Sequence, residues 1–325
     1  MIKVSVLVAV YNASAYLAEC LDSLLNQTLR DIQIVCVDDG STDDSWAILR
    51  EYAQKDDRIV TIQLHANYGQ AYARNVALRQ SDGEYVCFLD ADDRFAADAL
   101  ELAVRAFDKE EVDAVLFNVS MDYPDHSEIY PLPDFESLDG KEAFRMSLTW
   151  QIHGVYMIRA DIHRQFPYDT TCRLYSDDNT TRLHFLHSRR VGRCNGVYHY
   201  RQHAASATHA VSVRRFDYLR ANESMKQALV ELNVSPEIMA LYENHRWLNL
   251  VGVYMFYFVH GRELTREERH YGLAELRRAW KTIDRRLLQR RQTSKFGYCP
   301  MPTWWLFRMQ EWLYFTLRGL LGKNV

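Results

Sequence analysis

Short apolar runs alternate with amphipathic patterns through the first 120 residues of the chain. The apolar runs are bounded by polar or glycine-containing segments, and they predict five β-strands, at residues 4–10, 32–37, 59–64, 85–89 and 112–119. Between the first two runs, apolar residues recur at helical spacing, at Leu17, Cys20, Leu21, Leu24 and Leu25. Strands that alternate with helices are typical of βαβ units, so we expect an α/β domain with a mainly parallel sheet.

Later segments follow a different pattern. Ser41 and Asp44 have the spacing of a capping box, which predicts that the second helix begins there. Residues 121–139 are rich in proline and aspartate and predict a long loop. From residue 214 the pattern is mostly helical, and it ends in a predicted helix over 304–321. We therefore expect a helical region after the α/β domain.

Composition narrows the class of protein. The 325 residues are 48% hydrophobic and 25% charged, which is ordinary for a globular protein with a large core. No secretory pattern opens the chain, no apolar stretch is long enough to span a bilayer, and six scattered cysteines form no CxxC pair. These features predict a cytoplasmic protein with reduced thiols. The net charge of −4 divides into −12 for residues 1–261 and +8 for 262–325, which argues against nucleic-acid binding over the whole surface.

Polar and acidic residues follow three of the predicted strands. Tyr11 and Asn12 follow the first strand, Asp38 and Asp39 end the second, and the fourth leads into a cluster formed by Asp90, Asp92 and Asp93. Right-handed crossovers bring the carboxyl ends of such strands to one edge of the sheet, where ligands of open α/β sheets bind. Three neighbouring carboxylates repel one another unless a hard cation, with its phosphate ligand, lies among them. The alternative is a loop followed by a helix that Asp93 caps. The chain has no glycine-rich phosphate loop, so a metal ion is the expected counter-charge for a diphosphate.

These stretches, in their order and spacing, resemble the family 2 glycosyltransferases, which are inverting enzymes of the GT-A fold. The matching segments are residues 5–12, 24–28, 37–43, 67–75 and 83–93. The resemblance implies a GT-A catalytic domain over residues 1–210, divided into a nucleotide-binding half (1–120) and an acceptor half (121–210). A helical C-terminal region would then occupy residues 211–325.

The resemblance also implies residue roles. Tyr11 is expected against the base of a nucleotide-sugar, Asp39 should accept from the ring N–H of that base with Asp38 adjacent, and Arg74 should lie near the base or the diphosphate. Asp90 is expected near the ribose. Asp92 is expected to bind Mn²⁺ or Mg²⁺, which bridges the two phosphates as a Lewis acid.

A general base is expected farther along the chain, where the family has a Glu-Asp pair before a helix. Asp177 and Asp178 match that pair, with Asp178 as the base and Asp177 in place of the usual glutamate. The alternative is that both residues only favour a helix N-terminus. The segment 198–206 resembles the family segment that closes over the donor, and it offers His203 as a further metal ligand or phosphate contact and Arg201 as a counter-charge. His184 and His187 have no visible third ligand and are expected to be surface or packing residues.

The final predicted helix has an apolar face beside many basic residues. Such a helix fits a peripheral contact with the inner leaflet of an anionic membrane, although packing on the protein would give a similar pattern. The predicted function is metal-assisted, inverting transfer of a sugar from a nucleotide-sugar, with UDP the expected nucleotide. The acceptor would be a glycan or lipid-linked hydroxyl in surface polysaccharide or lipopolysaccharide assembly. The alternatives are a nucleotidyltransferase and a non-catalytic partner-binding protein of the same fold.

Overall fold

A computed structural model describes residues 2–172, 177–202 and 211–323. These residues form two compact units, one before and one after the segment 203–210. The domain boundary predicted at residue 210 falls within that segment, outside the described residues. Among the described residues, no helix combines the length and the apolar character needed to cross a bilayer.

The first unit is an α/β structure around one sheet. Its strands are β1 (Val4–Val10), β2 (Ile32–Asp38), β3 (Ile59–Gln63), β4 (Tyr85–Phe88), β5 (Arg94–Phe95), β6 (Ala114–Asp122), β7 (Ser127–Ile129), β8 (Ser137–Asp139), β9 (Tyr156–Arg159) and β10 (Arg190–Arg201). Its helices are α1 (Leu17–Leu25), α2 (Ser45–Lys55), α3 (Gln70–Arg79), α4 (Ala99–Glu110), α5 (Gly140–Leu148), α6 (Ala160–Gln165) and α7 (Asp177–His187).

The order of strands in the sheet is β3-β2-β1-β4-β9-β6-β10-β5. The strands of the first half, β1 to β4, pair in parallel, as the alternation of strands and helices predicts. In the second half β9 runs antiparallel between β4 and β6, whereas β10 runs parallel to β6. Hence β1, β2, β4, β6 and β10 all end at the same edge of a mixed sheet.

Helices cover both faces of the parallel half, and this explains the nearly continuous apolar runs in its strands. In β1, Val6 and Val8 point into a core cluster shared with α1, whereas Leu7 points into the opposite cluster shared with α3. All three side chains are fully buried. A strand buried on both faces is held in register, because a slip of one residue would exchange its two sets of side chains. The edge that carries the polar residues is therefore fixed.

The predicted capping box at Ser41 is wrong. Helix α2 begins at Ser45, and its N-cap residue, Asp44, makes no capping hydrogen bond through its side chain. The Ser41 hydroxyl instead accepts from the backbone N–H of Asn12 at 3.0 Å. Residues 41–44 thus form a loop that the chain uses to hold the end of β1 beside the end of β2.

The second unit is helical, as the sequence pattern predicts. It contains α8 (Asp217–Glu231), α9 (Pro236–His260), α10 (Arg266–Thr282), α11 (Arg290–Thr293) and α12 (Trp304–Leu320), with 3₁₀ turns at Val213–Phe216 and Arg285–Leu287. Its core is aromatic: Trp247, Phe307 and Phe315 are almost completely buried in one cluster. Thr265 and Glu268 form a complete capping box at the start of α10.

Candidate active site

The ends of β1 and β2 are bound together by side chains of the loops that follow them. The side-chain oxygen of Asn12 accepts from the backbone N–H of Thr42 at 2.8 Å. Gly40 has φ +73°, and a Cβ there would lie 2.6 Å from the backbone of Ala66, so the turn after Asp38 and Asp39 requires glycine. Beside this fixed turn, the Tyr11 side chain is about half exposed, at 49%, and can receive a ligand.

Asp39 connects the end of β2 to the start of α3. Its carboxylate accepts from the backbone N–H groups of Tyr68 and Gly69, both at 2.8 Å, and the residue is buried. A carboxylate has about four lone-pair positions, so a nucleobase N–H would share Asp39 with these two amides. Asp38 is also buried and accepts from Ser41 and Gln63, so it lies behind Asp39 as a supporting group.

A cavity of about 210 Å³ adjoins the Asp39 turn. Its lining includes Tyr68, Tyr72 and Cys172. The rings of the two tyrosines lie 4.9 Å apart, and each side chain is about 40% exposed (41% and 39%). Aromatic faces beside a carboxylate suit a flat heterocycle with an N–H donor. Neither tyrosine was predicted as a site residue: Tyr68 lies in the loop before α3 and Tyr72 lies within α3.

Arg74 and Asp90 form a buried ion pair at this edge. The guanidinium donates to the carboxylate at 2.5 Å, and its carbon lies 4.0 Å from the centre of the Phe88 ring. Gln70, one turn earlier on α3, donates to the same Asp90 oxygen at 2.9 Å. Burial raises the pKa of Asp90, the charge of Arg74 opposes that rise, and the charge of Asp92 adds to it. Asp90 is thus held by protein donors.

Asp90, Ala91 and Asp92 form a turn, which we call the Asp-x-Asp turn, and residues of β10 hold it in place. The Tyr198 hydroxyl donates to Asp93 at 2.6 Å, and the backbone N–H of Arg201 donates to the other oxygen of Asp93 at 2.8 Å. Burial, with a further contribution from the charge of Asp90, raises the pKa of Asp93 to about 8. Helix α4 begins only at Ala99, so the alternative that Asp93 is a helix cap is wrong. The Arg201 side chain donates to the Asp92 carbonyl and to Glu19, so it supports the turn.

The predicted base region lies on α7, which connects to α3 through the loop before it. Asn75 exchanges two 2.8 Å hydrogen bonds with the backbone of Tyr168, and the Tyr168 ring lies 5.4 Å from the Arg74 guanidinium. The charge of Asp177 contributes to raising the pKa of Asp90, so Asp177 is near the Arg74–Asp90 pair. The first turn of α7 is thus part of the same edge as the Asp-x-Asp turn.

Asp178 lies beside Arg182, one turn later on α7. The two side chains are 3.6 Å apart, and only 2% of the Arg182 side chain and 16% of the Asp178 side chain are exposed. Burial raises the pKa of Asp178 to about 7, although the charge of Arg182 opposes that shift; the charge of Asp177 adds to it. A carboxylate that titrates near neutrality can take a proton from a hydroxyl, because its basicity is raised while a useful fraction stays ionised.

Trp150 lies beside the candidate base, and the sequence did not indicate this position. It lines a small recess with Asp178, Arg182 and His153, and its side chain is 49% exposed. Its φ is +57°, an uncommon conformation for a bulky residue. The Tyr130 hydroxyl donates to the Trp150 carbonyl, which helps to hold that backbone in place. A held backbone with an exposed indole presents a flat apolar surface beside the candidate base.

Asp92 is the predicted metal ligand that lies among the described residues. Within the described residues, no group of three or more histidine, cysteine, aspartate or glutamate side chains could enclose a cation. Mg²⁺ and Mn²⁺ commonly bind through one or two carboxylates together with phosphate oxygens, so a half-buried Asp92 at the rim fits this mode of binding. His203, predicted as a further ligand, lies outside the described residues. His184 is fully buried and bonds to Tyr156 and Phe166, which agrees with a packing role.

Known proteins are similar to this chain in sequence. The family model for glycosyl transferase family 2 matches residues 5–182. A poly(ribitol-phosphate) beta-glucosyltransferase of Bacillus spizizenii is 45% identical over 101 residues, which are 30% of this chain and 16% of that relative. The chain therefore matches about a sixth of the length of that curated relative.

Two solved structures are similar in fold. S. aureus TarS 1–349, crystallised with UDP-GlcNAc, superposes with a TM-score of 0.76 at 19% identity and covers 99% of this chain and 92% of that one. The mannosyltransferase PcManGT of Pyrobaculum calidifontis, solved with GDP-Man and Mn²⁺, has a TM-score of 0.54 at 19% identity and covers 99% and 88% of the two chains. The expected GT-A architecture is confirmed. Because the family model spans more than half of its residues, this chain belongs to glycosyl transferase family 2.

Proposed function

We propose that this protein transfers a sugar from a UDP-sugar to a hydroxyl group of a bacterial surface glycan, with inversion at the anomeric carbon. The observation that carries the proposal is a continuous set of contacts along one sheet edge. Asp39 binds the Tyr68–Gly69 turn, Gln70 and Arg74 bind Asp90, and the charge of Asp177 acts on that pair. These contacts support a donor site beside the first turn of α7, where the proposed base would lie.

The donor half would bind the nucleotide through fixed groups. Tyr11 would lie against the base, and Asp39, supported by Asp38, would accept from its ring N–H. Arg74 would lie near the base or the diphosphate, and its pairing with Asp90 would reduce the cost in side-chain ordering. Asp90 would face the ribose through the oxygen that does not accept from Arg74.

Asp92 would hold Mn²⁺ or Mg²⁺ against the two phosphates, with His203 as a candidate further ligand. When bound, the cation would stabilise the negative charge of the leaving diphosphate. Tyr198 and Arg201 hold the turn that carries Asp92 through hydrogen bonds to its backbone. A carboxylate held in this way would keep the cation, when bound, in one position.

Asp178 would act as the general base. It would take the proton of the acceptor hydroxyl while that oxygen attacks the anomeric carbon from the side opposite the leaving phosphate, which produces inversion. Trp150 would stack on the acceptor, because sugar rings present apolar C–H faces that pack on indole. The acceptor class is supported by the relative named for poly(ribitol-phosphate), a surface polymer.

The first experiment measures release of nucleoside diphosphate from a panel of nucleotide-sugars with Mn²⁺ present, with and without glycan acceptors. We expect turnover with a UDP-sugar and, by NMR, a product of inverted anomeric configuration. Asp178→Asn should retain donor binding and lose at least about a hundredfold of transfer. Asp57→Asn, an exposed aspartate in the turn before β3, is the matched control and should be unchanged.

Calorimetry separates the proposal from a non-catalytic binding protein. UDP binding that requires Mn²⁺ and is lost in Asp92→Ala supports the transferase, whereas absent or unchanged binding supports the binding protein. A nucleotidyltransferase would instead release pyrophosphate from a nucleoside triphosphate and a sugar phosphate. If no nucleotide-sugar is turned over across the panel, the proposal is rejected.

A further inference from the structure

The last described helix, α12, exposes its apolar side chains. Phe307 and Phe315 are buried in the core of the helical unit, as are Gln310 and Glu311. The exposed side of the helix carries large apolar residues: Trp305, Met309, Trp312, Leu313, Leu317 and Leu320. We call these six residues the outer face of α12. A surface helix usually buries its apolar side chains and exposes its polar ones. In α12, the polar residues Gln310 and Glu311 are buried, whereas Trp305 and Trp312 are exposed to solvent.

The spacing shows that the outer face is a single stripe. Its residues follow one another at steps of three or four, with Leu313 adjacent to Trp312, so they lie on one side of the helix. Trp305 and Trp312 are 68% and 58% exposed, and Leu320 is 79% exposed. Contiguous apolar stripes of this kind are uncommon on surfaces that contact only water, and they mark interaction sites.

The buried side confirms that this orientation is the packed one. Glu311 has no exposure, and burial raises its pKa to about 8. In this orientation of α12 a carboxyl group is therefore removed from water. The Gln310 amide donates to the Glu311 carboxyl at 3.0 Å and to the Cys299 carbonyl at 3.0 Å. Rotating α12 to hide its tryptophans would break these contacts and withdraw Phe307 and Phe315 from the core.

The charge around the helix identifies the kind of partner. Residues 304–323, which include α12, contain three basic residues, Arg308, Arg318 and Lys323, against one acidic residue, the buried Glu311. Arg308 borders the stripe, one turn from both Trp305 and Trp312, and is exposed. A second copy of the chain on this face would bring two positively charged segments together, which is unfavourable. An anionic surface satisfies both the charge and the apolar face.

We propose that the outer face of α12 binds a membrane surface that contains anionic lipid. The helix would lie in the plane of the interface, with its tryptophan and leucine side chains among the upper acyl chains and the exposed Arg308 at the phosphates. Tryptophan is favoured at this depth, because its ring is apolar and its N–H can reach polar groups. The proposal is independent of the proposed sugar transfer.

The test is flotation of the full chain with vesicles, together with intrinsic tryptophan fluorescence. One vesicle is pure phosphatidylcholine and the other contains about 30% phosphatidylglycerol. We expect binding to the anionic vesicle with a blue shift of emission, weaker binding to the neutral one, and loss of binding as salt is raised. The double variant Trp312→Gln, Leu317→Gln should reduce partitioning by about tenfold or more.

Val230→Gln is the matched control, because Val230 is an apolar residue on α8 that is also 54% exposed. It should bind vesicles like the parent, and all variants should share one melting temperature, since the changed side chains are exposed. The proposal is overturned if the parent does not bind anionic vesicles, or if the double variant binds as well as the parent. Equal binding to both vesicles also contradicts it. So does a concentration-dependent dimer that the double variant abolishes, because that result assigns the face to a second copy.

Discussion

The ion pair between Arg182 and Asp178 gives a prediction about the pH at which the proposed base works. In the substitution Arg182→Met, the length of the side chain is kept and its charge is removed. The guanidinium lies 3.6 Å from the Asp178 carboxylate and opposes the effect of burial on the carboxylate, whose pKa is about 7. Without the positive charge, the pKa of Asp178 should rise further.

The size of the change follows from Coulomb's law. Two unit charges about 4 Å apart interact by about 4 kcal/mol at an effective dielectric constant of 20, which corresponds to about 3 pKa units. Part of this is screened, because 16% of the Asp178 side chain contacts solvent. We therefore expect a rise of about 1 to 2 units. At neutral pH the base would be mostly protonated, and kcat/KM would fall by about five- to fiftyfold.

The assay is nucleoside diphosphate release at low substrate concentration, measured across a pH series. A base must be deprotonated, so activity should rise with pH through the pKa of the free enzyme. For the parent this rise should centre near 7, and for Arg182→Met it should move to higher pH with the alkaline plateau largely retained. Arg58→Met removes an arginine–aspartate pair at the start of β3 and should leave the profile unchanged.

A second variant moves the profile in the opposite direction. Asp177→Asn removes a negative charge that raises the pKa of Asp178, so the rise should shift to lower pH. The reasoning is refuted if Arg182→Met leaves the position of the rise unchanged. It is also refuted if that variant loses activity equally at every pH, because Arg182 would then contribute through position and not through its charge.

Three further predictions concern stability and acceptor binding. The raised pKa of Asp178 means that the folded state holds a proton the unfolded chain has lost, so stability falls as pH rises from about 4 to about 7. The gain in unfolding free energy of Asp178→Asn over the parent should therefore grow by about 2 to 3 kcal/mol between about pH 5 and about pH 8, as urea titrations would measure. Trp150→Ala should raise the acceptor KM by about tenfold and leave the donor KM unchanged in initial-rate kinetics. Tyr198→Phe should lower the unfolding free energy by about 1 to 3 kcal/mol, because buried Asp93 loses its donor.

Each of these outcomes has a result that would contradict it. If the stability difference between Asp178→Asn and the parent did not depend on pH, burial would not raise the pKa of Asp178 in the folded state. If Trp150→Ala changed both KM values equally, the indole would support the fold of the site and not contact the acceptor. Unchanged stability of Tyr198→Phe would show that a water molecule replaces the hydroxyl.

The sequence determined the parallel half of the sheet and the edge at which its polar residues meet. Strands such as β1 and β4 are buried on both faces, so their apolar runs are continuous and their ends are sharp. Parallel strands run in the same direction, so the polar residues that follow their carboxyl ends lie at one edge of the sheet. The position of Asp39, Asp90 and Asp92 at that edge could be predicted for this reason, and so could the packing role of His184.

Only the tertiary structure decided how each of these groups is paired. The predicted capping box at Ser41 is wrong, because the hydroxyl bonds across the loops to Asn12, a contact 29 residues away in sequence. The pairing of Arg74 with Asp90, the support of Asp93 by Tyr198 and the recess that brings Trp150 to Asp178 are likewise contacts between distant segments. Local pattern has no information on such contacts, because their energies depend on burial and distance after the chain has folded. The same applies to α12. Its sequence contains many apolar residues, and only the packing of the folded chain shows that Phe307 and Phe315 are buried whereas Trp305 and Trp312 are exposed.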